Sequence, residues 1–191
     1  ATPLPSRVRG PSRRVGGRVL IMEGSFSDPS APFPVPSAEA PSPFPLSRAL
    51  LEAVLADRLT DRFVSELIWC RLGYGPDPEG QEWCAGPETP PEWRQAFPLA
   101  PQVIAERPAS VALTRSIAKA YKQLLKEQLG FAGYRIGELY PRRTRRATAV
   151  NWLLAHLAER GEALPEAGPL PDLLPVPADP VTGHPGDPPV G

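Results

Sequence analysis

Hydrophobic positions between Leu46 and Leu59 recur at three- and four-residue intervals. Leu50, Leu51, Val54, Leu55 and Leu59 follow Ser47, whose hydroxyl can cap a helix N-terminus. Phe63, Val64, Leu67, Ile68 and Leu72 follow Thr60 and Asp61 in the same way, and Gly73 is placed to stop that run in a left-handed conformation. The pattern predicts a helical hairpin. From 74 to 101 the periodicity is lost: Gly75-Pro76-Asp77-Pro78-Glu79-Gly80 and prolines 87, 90 and 91 carry turn chemistry. A long irregular loop is expected there, with one helical turn at Pro91–Arg94. Tyr74, Trp83, Trp93 and Phe97 are its anchors, because large apolar side chains gain more from burial than from forming an exposed surface.

Beyond Pro101 an apolar run reaches Ile104, Pro108 interrupts it, and Ser110-Val111-Ala112-Leu113-Thr114 fits a brief strand. Ser116 then heads a helix over Ile117–Leu129, closed by Gly130. At about 100° per residue, Ile117, Tyr121, Leu124, Leu125, Gln128 and Leu129 share one side, and Lys119, Lys122 and Lys126 form a ridge beside it. Gly130, Gly133 and Gly137 read as turn glycines rather than as a nucleic-acid clamp, because no strand-and-helix frame surrounds them. The last periodic stretch runs from Pro141 to Arg160 and stops at Gly161, with Ala147, Val150, Leu153, Leu154 and Leu157 as its apolar stripe. On that wheel Arg143 lies within about 20° of the stripe. Arg142 and Arg146 flank it, while Arg145, Trp152 and His156 lie opposite. The fold class is therefore mainly α: a small helical domain, made of the hairpin and two longer helices, with a long irregular loop and one or two short strands.

Proline sets the boundaries. Of 28 prolines, ten lie in residues 1–45 and nine in residues 161–191, so a single compact domain is expected over 46–160 between two Pro-rich disordered ends. The first end is rich in Arg and Ser and has no acid before Met22, the chain's only methionine, so residues 1–21 read as an over-extended gene start. The second end carries five acids and no Lys or Arg.

Charge changes the picture more than composition does. The formal net charge is zero, but residues 46–100 hold five basic residues against nine acids, a net of −4, and residues 101–160 hold eleven against four, a net of +7. At the start of the last helix Arg142, Arg143, Arg145 and Arg146 crowd a terminus that already carries partial positive charge, so an internal acid or an external anion is expected beside them. Cys70 and Cys84 have no Cys-x-x-Cys partner and the chain has only His156 and His184, too few for a structural zinc site; free thiols suit a reducing compartment. No apolar run is long enough to span a membrane. His156 reads as a surface or packing residue, and no P-loop, metal cluster or paired nucleophile and base is present, so no catalytic residue, cofactor or metal is assigned.

Leu113-Thr114-Arg115-Ser116-Ile117, Lys122 to Phe131, Gly133-Tyr134, Ile136-Gly137-Glu138 and Pro141 to Leu154 follow one another in an order that resembles a small family of uncharacterised cyanobacterial and plant-plastid proteins. The likeness spans roughly residues 46–158. It implies a cyanobacterial cytoplasm, or the plastid stroma for plant relatives, and brings no activity or site. The expected function is a non-enzymatic binding, assembly or regulatory factor whose basic surface takes an acidic protein partner. Arg115, Lys119, Lys122, Lys126, Arg142, Arg145 and Arg146 would supply the charge, and Trp152 an apolar anchor. Arg143 is expected to be a structural tie to an acid of the same domain. Nucleic acid bound through the same surface is the alternative, and an enzyme holding a small phosphorylated substrate at the four-arginine helix start is the third class.

Overall fold

The computed structural model describes residues 42–191. The expectations for the Arg-rich start, for Met22 and for most of the proline-rich stretch lie outside those residues. The hairpin forms as the pattern predicts. Helix α1, Arg48–Leu55, is capped by Ser47, whose Oγ accepts from the Leu50 amide at 3.2 Å. Helix α2, Asp61–Arg71, is capped by Thr60, whose Oγ1 accepts from the Phe63 amide at 3.1 Å. Gly73 follows at φ +80°, and a Cβ there would lie 2.8 Å from the backbone at Glu88 and Thr89, so the stop also lets the next loop pack closely.

The irregular loop contains a small antiparallel hairpin, β1 Tyr74–Pro76 and β2 Trp83–Ala85, with Gly75 opposite Cys84. Its turn is held by Asp77, whose Oδ1 accepts from the Gln81 and Glu82 amides. The single helical turn expected at Pro91 is α3, Pro91–Ala96. Trp93 and Tyr74 are buried and Trp83 and Phe97 half-buried against the core, which leaves them as anchors.

Two expectations are corrected between 101 and 130. The segment read as a strand is helical: α4 spans Arg107–Ser116, and Pro108 sits in its first turn, where a missing N–H costs nothing. The single helix expected from Ile117 is broken into a 3₁₀ turn, Lys119–Tyr121, and α5, Leu124–Leu129. Ser116 does not cap it. Its hydroxyl donates to the Leu113 carbonyl at 2.9 Å and accepts from Trp152 Nε1 at 3.0 Å, which ends α4 and turns Ile117 into extended backbone.

Helix α6, Pro141–Glu159, is the centre of the molecule and packs against α1, α2, α4 and α5. Both of its faces are covered, so Ala149, Val150, Leu153, Leu154 and Leu157 are buried on one side and Trp152 on the other. The stretch 162–191 forms no helix or strand, yet it does not extend away as a solvated tail. It runs back over the domain: Pro165 and Leu174 exchange backbone hydrogen bonds with Arg48 and Arg58, Gly191 bonds to the Ala105 carbonyl, and His184 is buried. Prolines prevented regular structure here; scattered backbone bonds and side-chain anchors supplied the order.

Candidate functional site

The four arginines at the start of α6 have three different fates. Arg142 and Arg146 are one turn apart on the buried side of the helix, each 1 % exposed, and meet acids from the α1–α2 junction. Arg142 donates from Nε to Asp61 Oδ2 at 2.7 Å, from Nη1 to Asp57 Oδ2 at 2.5 Å and from Nη2 to Asp187 Oδ2 at 3.0 Å. Arg146 donates from Nη1 to Asp61 Oδ1, and from Nε and Nη2 to the Val54 and Leu59 carbonyls at 3.1 and 2.8 Å. His184 Nε2 lies 3.0 Å from the Asp57 carbonyl and closes the cluster.

Asp57 reaches this cluster because α1 ends in a Schellman turn. The Arg58 amide bonds back to the Ala53 carbonyl and the Asp57 amide to Val54, with Asp57 in the left-handed region at φ +57°. Glycine is usual at that position; aspartate tolerates it and here brings a carboxylate. The charges are unequally served. Against the cost of burial, the hydrogen bonds it donates to the Asp57 and Asp61 carboxylates hold the Arg142 guanidinium more firmly charged than an ordinary arginine. Burial pushes the Asp61 carboxyl up, against the pull of Arg146 and Arg142, and Asp187 adds repulsion.

Arg143, expected to be the structural ion pair, is not one. Its guanidinium lies over the rings of Tyr134 and Tyr140, 5.8 and 5.6 Å from their centroids, with no acid in ion-pair reach among the described residues. Arg145 is tied to backbone: Nη1 donates to the Ile104 and Ala105 carbonyls at 3.0 and 2.7 Å and Nη2 to the Gly191 carbonyl at 2.6 Å. Trp152 is only 7 % exposed and stacks on His156 at 5.4 Å, so it offers no surface anchor. Arg142, Arg146 and Trp152 are therefore buried, Arg145 is half-buried with its guanidinium engaged by backbone carbonyls, and the four arginines do not make one phosphate site. The wheel placed the stripe's centre one position too far along: the buried line runs through Arg142, Arg146, Ala149 and Leu153.

The other half of the set is exposed. Arg115, Lys119, Lys122 and Lys126 lie at the surface, and none has an acid within ion-pair distance among the described residues. The break after Ile117 sets Arg115, at the end of α4, apart from the three lysines, which lie on and just after the 3₁₀ turn and on α5. Lys122 and Lys126 border a groove of about 390 Å³ between α5, the Phe131–Gly133 turn and α6, with Ile117, Leu125, Phe131 and Ala147 among its walls. Arg115 opens instead on a separate hollow beside Trp93 and Phe97. Asn151 builds the groove: its Oδ1 accepts from the Leu125 amide at 2.9 Å and its Nδ2 donates to the Tyr121 carbonyl at 3.1 Å, pinning α5 to α6. The hydroxyls of Thr114 and Thr148 donate to carbonyls of their own helices. The groove thus has spent polar groups in its walls and two ammonium groups at its edge, of which Lys122 makes only a long 3.4 Å contact to the Thr114 carbonyl.

Residues 45–158 match the sequence profile of a domain of unknown function, DUF1823. The chain belongs to that family. The match takes in the groove and four members of the buried cluster, Asp57, Asp61, Arg142 and Arg146, and leaves out Asp187 and His184. A solved protein, described as a solution NMR structure, is similar at 50 % identity and a TM-score of 0.54, over 63 % of this chain and 100 % of its own. None of the curated proteins matches this chain. Cys70 and Cys84 are free and half-buried, with burial pushing the Cys70 thiol up and away from the reactive thiolate. No helix among the described residues is long and apolar enough to cross a membrane.

Proposed function

We propose that the domain is a non-enzymatic binding module that takes an acidic protein segment in the groove between α5 and α6. The observation that carries this is the combination in one place of an apolar wall and two unpaired ammonium groups, Lys122 and Lys126. A segment that fits would place one leucine- or phenylalanine-sized side chain against Leu125 and Phe131, with flanking Asp or Glu side chains at the lysines. Lys119 and Arg115, exposed and without an ion-pair partner among the described residues, add long-range attraction that steers encounter. The module's role in this reading is assembly or regulation, and a partner in the cytoplasm or stroma of a photosynthetic cell is in keeping with the resemblance to cyanobacterial and plastid proteins.

Nucleic acid is less well served by this groove. Its aromatic wall residue, Phe131, already packs edge-to-face with Tyr134, ring centroids 5.0 Å apart, and no second aromatic lines the groove to continue a stack of bases. Two of the four arginines that would have tracked phosphates are buried. The test uses the full chain and four probes: a 12-residue acidic peptide with a central Leu, the same peptide with Ser in its place, a single-stranded RNA and a DNA duplex. The Leu peptide binds, and both the Ser replacement and Lys122→Glu/Lys126→Glu weaken it at least ten-fold by isothermal titration. Tighter RNA or DNA binding that the same double variant abolishes would transfer the groove to nucleic acid. Peptide binding that the double variant leaves unchanged removes the groove from the function altogether.

A further inference from the structure

Asp187 reaches the buried cluster from outside the family domain, and its surroundings have the form of a ligand in a receptor. One oxygen, Oδ1, accepts from the Asp61 amide at the first turn of α2 at 2.8 Å. The other accepts from Arg142 Nη2 at 3.0 Å and from the His184 amide at 2.8 Å. The segment that presents it is folded by its own bonds. Asp179 accepts from the Val181 amide and the Thr182 hydroxyl, the Gly183 amide bonds to the Asp179 carbonyl, and the Asp187 amide bonds to His184. Gly183 sits against Arg142 so closely that a Cβ would lie 2.5 Å from its Nε, at φ +80°. Among the described residues, no backbone group between Leu174 and Gly191 bonds to the backbone of the helical domain. Between those two points the attachment is through the side chains of His184 and Asp187, and beyond them Gly191 bonds to the Ala105 carbonyl and accepts from Arg145.

Charge counting shows which part is separable. Without Asp187 the cluster is two guanidiniums and two carboxylates, and every Arg146 bond and two of the three Arg142 bonds remain. With it the cluster holds a third carboxylate, which raises the pKa of Asp61. Only Arg142 Nη2 and the Asp61 amide depend on Asp187 for a partner. A separable segment that adds repulsion and satisfies two donors is a ligand, not a strut.

We infer that the helical domain carries an acceptor site for a turn-forming, aspartate-bearing chain segment, formed by Arg142 Nη2 and the first turn of α2, and that residues 179–187 of this chain occupy it as a releasable strap. The occupant in trans is a protein segment of the same kind: a tight turn with a glycine against Arg142 and an aspartate four residues on. The segment's own turn bonds, at Asp179 and between Asp187 and His184, hold the aspartate in place once it is seated.

Two forms of the full chain open the strap without touching a charged group. Gly183→Val puts a branched side chain where none fits. A protease site inserted between Pro175 and Val176, both exposed, severs the strap from the domain after folding. A labelled peptide of residues 177–191 is then added, alongside its Asp187→Asn version, with hydrogen exchange reporting the state of residues 162–191. In either opened form the wild-type peptide binds at least ten-fold more tightly than to the intact chain, the Asn peptide loses at least ten-fold, and the helices keep their protection. If the helices of both opened forms lose protection along with the strap, the segment is an inseparable part of the fold and the inference fails. It fails equally if the helices hold but the peptide does not bind, or if the Asp and Asn peptides bind alike.

Discussion

Adjacent arginines at the start of α6 have opposite environments, and their substitution should separate cleanly. Arg142 is sealed among three carboxylates, so Arg142→Met strands buried negative charge and should cost about 3–5 kcal/mol in chemical denaturation. Arg143→Met removes only a cation from two tyrosine faces and should cost under about 1 kcal/mol. Equal losses would mean that the cluster is not the tie it looks like. That Arg142 and not Arg143 points inward was within reach of the sequence. Asp57-x-x-x-Asp61 and Arg142-x-x-x-Arg146 share one helical spacing, and stacked pairs of opposite charge at matching intervals are complementary. The obstacle was that Asp57 and Asp61 straddle the α1–α2 junction, so their alignment depends on the left-handed turn at Asp57 rather than on a helix. No signal in residues 177–191 marks Asp187, whose role exists only because a chain without regular structure returns to the domain.

At the level of elements, caps and stripes carried most of the information. α1, α2, α3 and α6 lie where Ser47, Thr60, Pro91 and Pro141 place their starts, because those ends are decided locally, by a capping hydroxyl in the first two and by proline's fixed φ in the others. The region 107–129 was misread because its ends are decided by distant ones: Trp152 claims the hydroxyl of Ser116, and Asn151 claims the amide of Leu125. The β1–β2 hairpin has too few residues for a period to show, and it is fixed to α3 by Tyr74, whose hydroxyl donates to the Phe97 carbonyl at 2.8 Å. Burial pushes the Tyr74 phenol up to about 12. Its unfolded value is about 10, so the folded state keeps the proton longer. The stability this contributes is complete below pH about 10 and is lost as pH rises toward 12. Denaturation across that interval should therefore show a falling stability that Tyr74→Phe flattens, with about 0.5–1.5 kcal/mol lost at neutral pH for the missing hydrogen bond. An unchanged slope in the Phe variant would assign the alkaline transition to other groups.

For the whole molecule, the acidic first half and the basic second half meet through α6, and the charge division visible along the chain is resolved in space. Part of it cancels inside, where Asp57 and Asp61 face Arg142 and Arg146; part remains outside, on Lys119, Lys122, Lys126 and Arg115. Salt distinguishes the two. At about 0.1 M the screening length is about 10 Å in water, but ions do not enter a cluster whose side chains are 1–3 % exposed. Raising sodium chloride from about 0.05 to 0.5 M should leave the destabilisation caused by Arg142→Met the same within error. Over the same range, acidic-peptide binding at the α5–α6 groove should fall at least ten-fold, because exposed charges more than a screening length apart no longer attract. The two measurements on one protein act as controls for each other. A salt-sensitive Arg142→Met penalty would mean that water reaches the cluster and that Asp187 does not seal it. Salt-insensitive peptide binding would mean that the groove holds its partner by apolar contact alone, with Lys122 and Lys126 as bystanders.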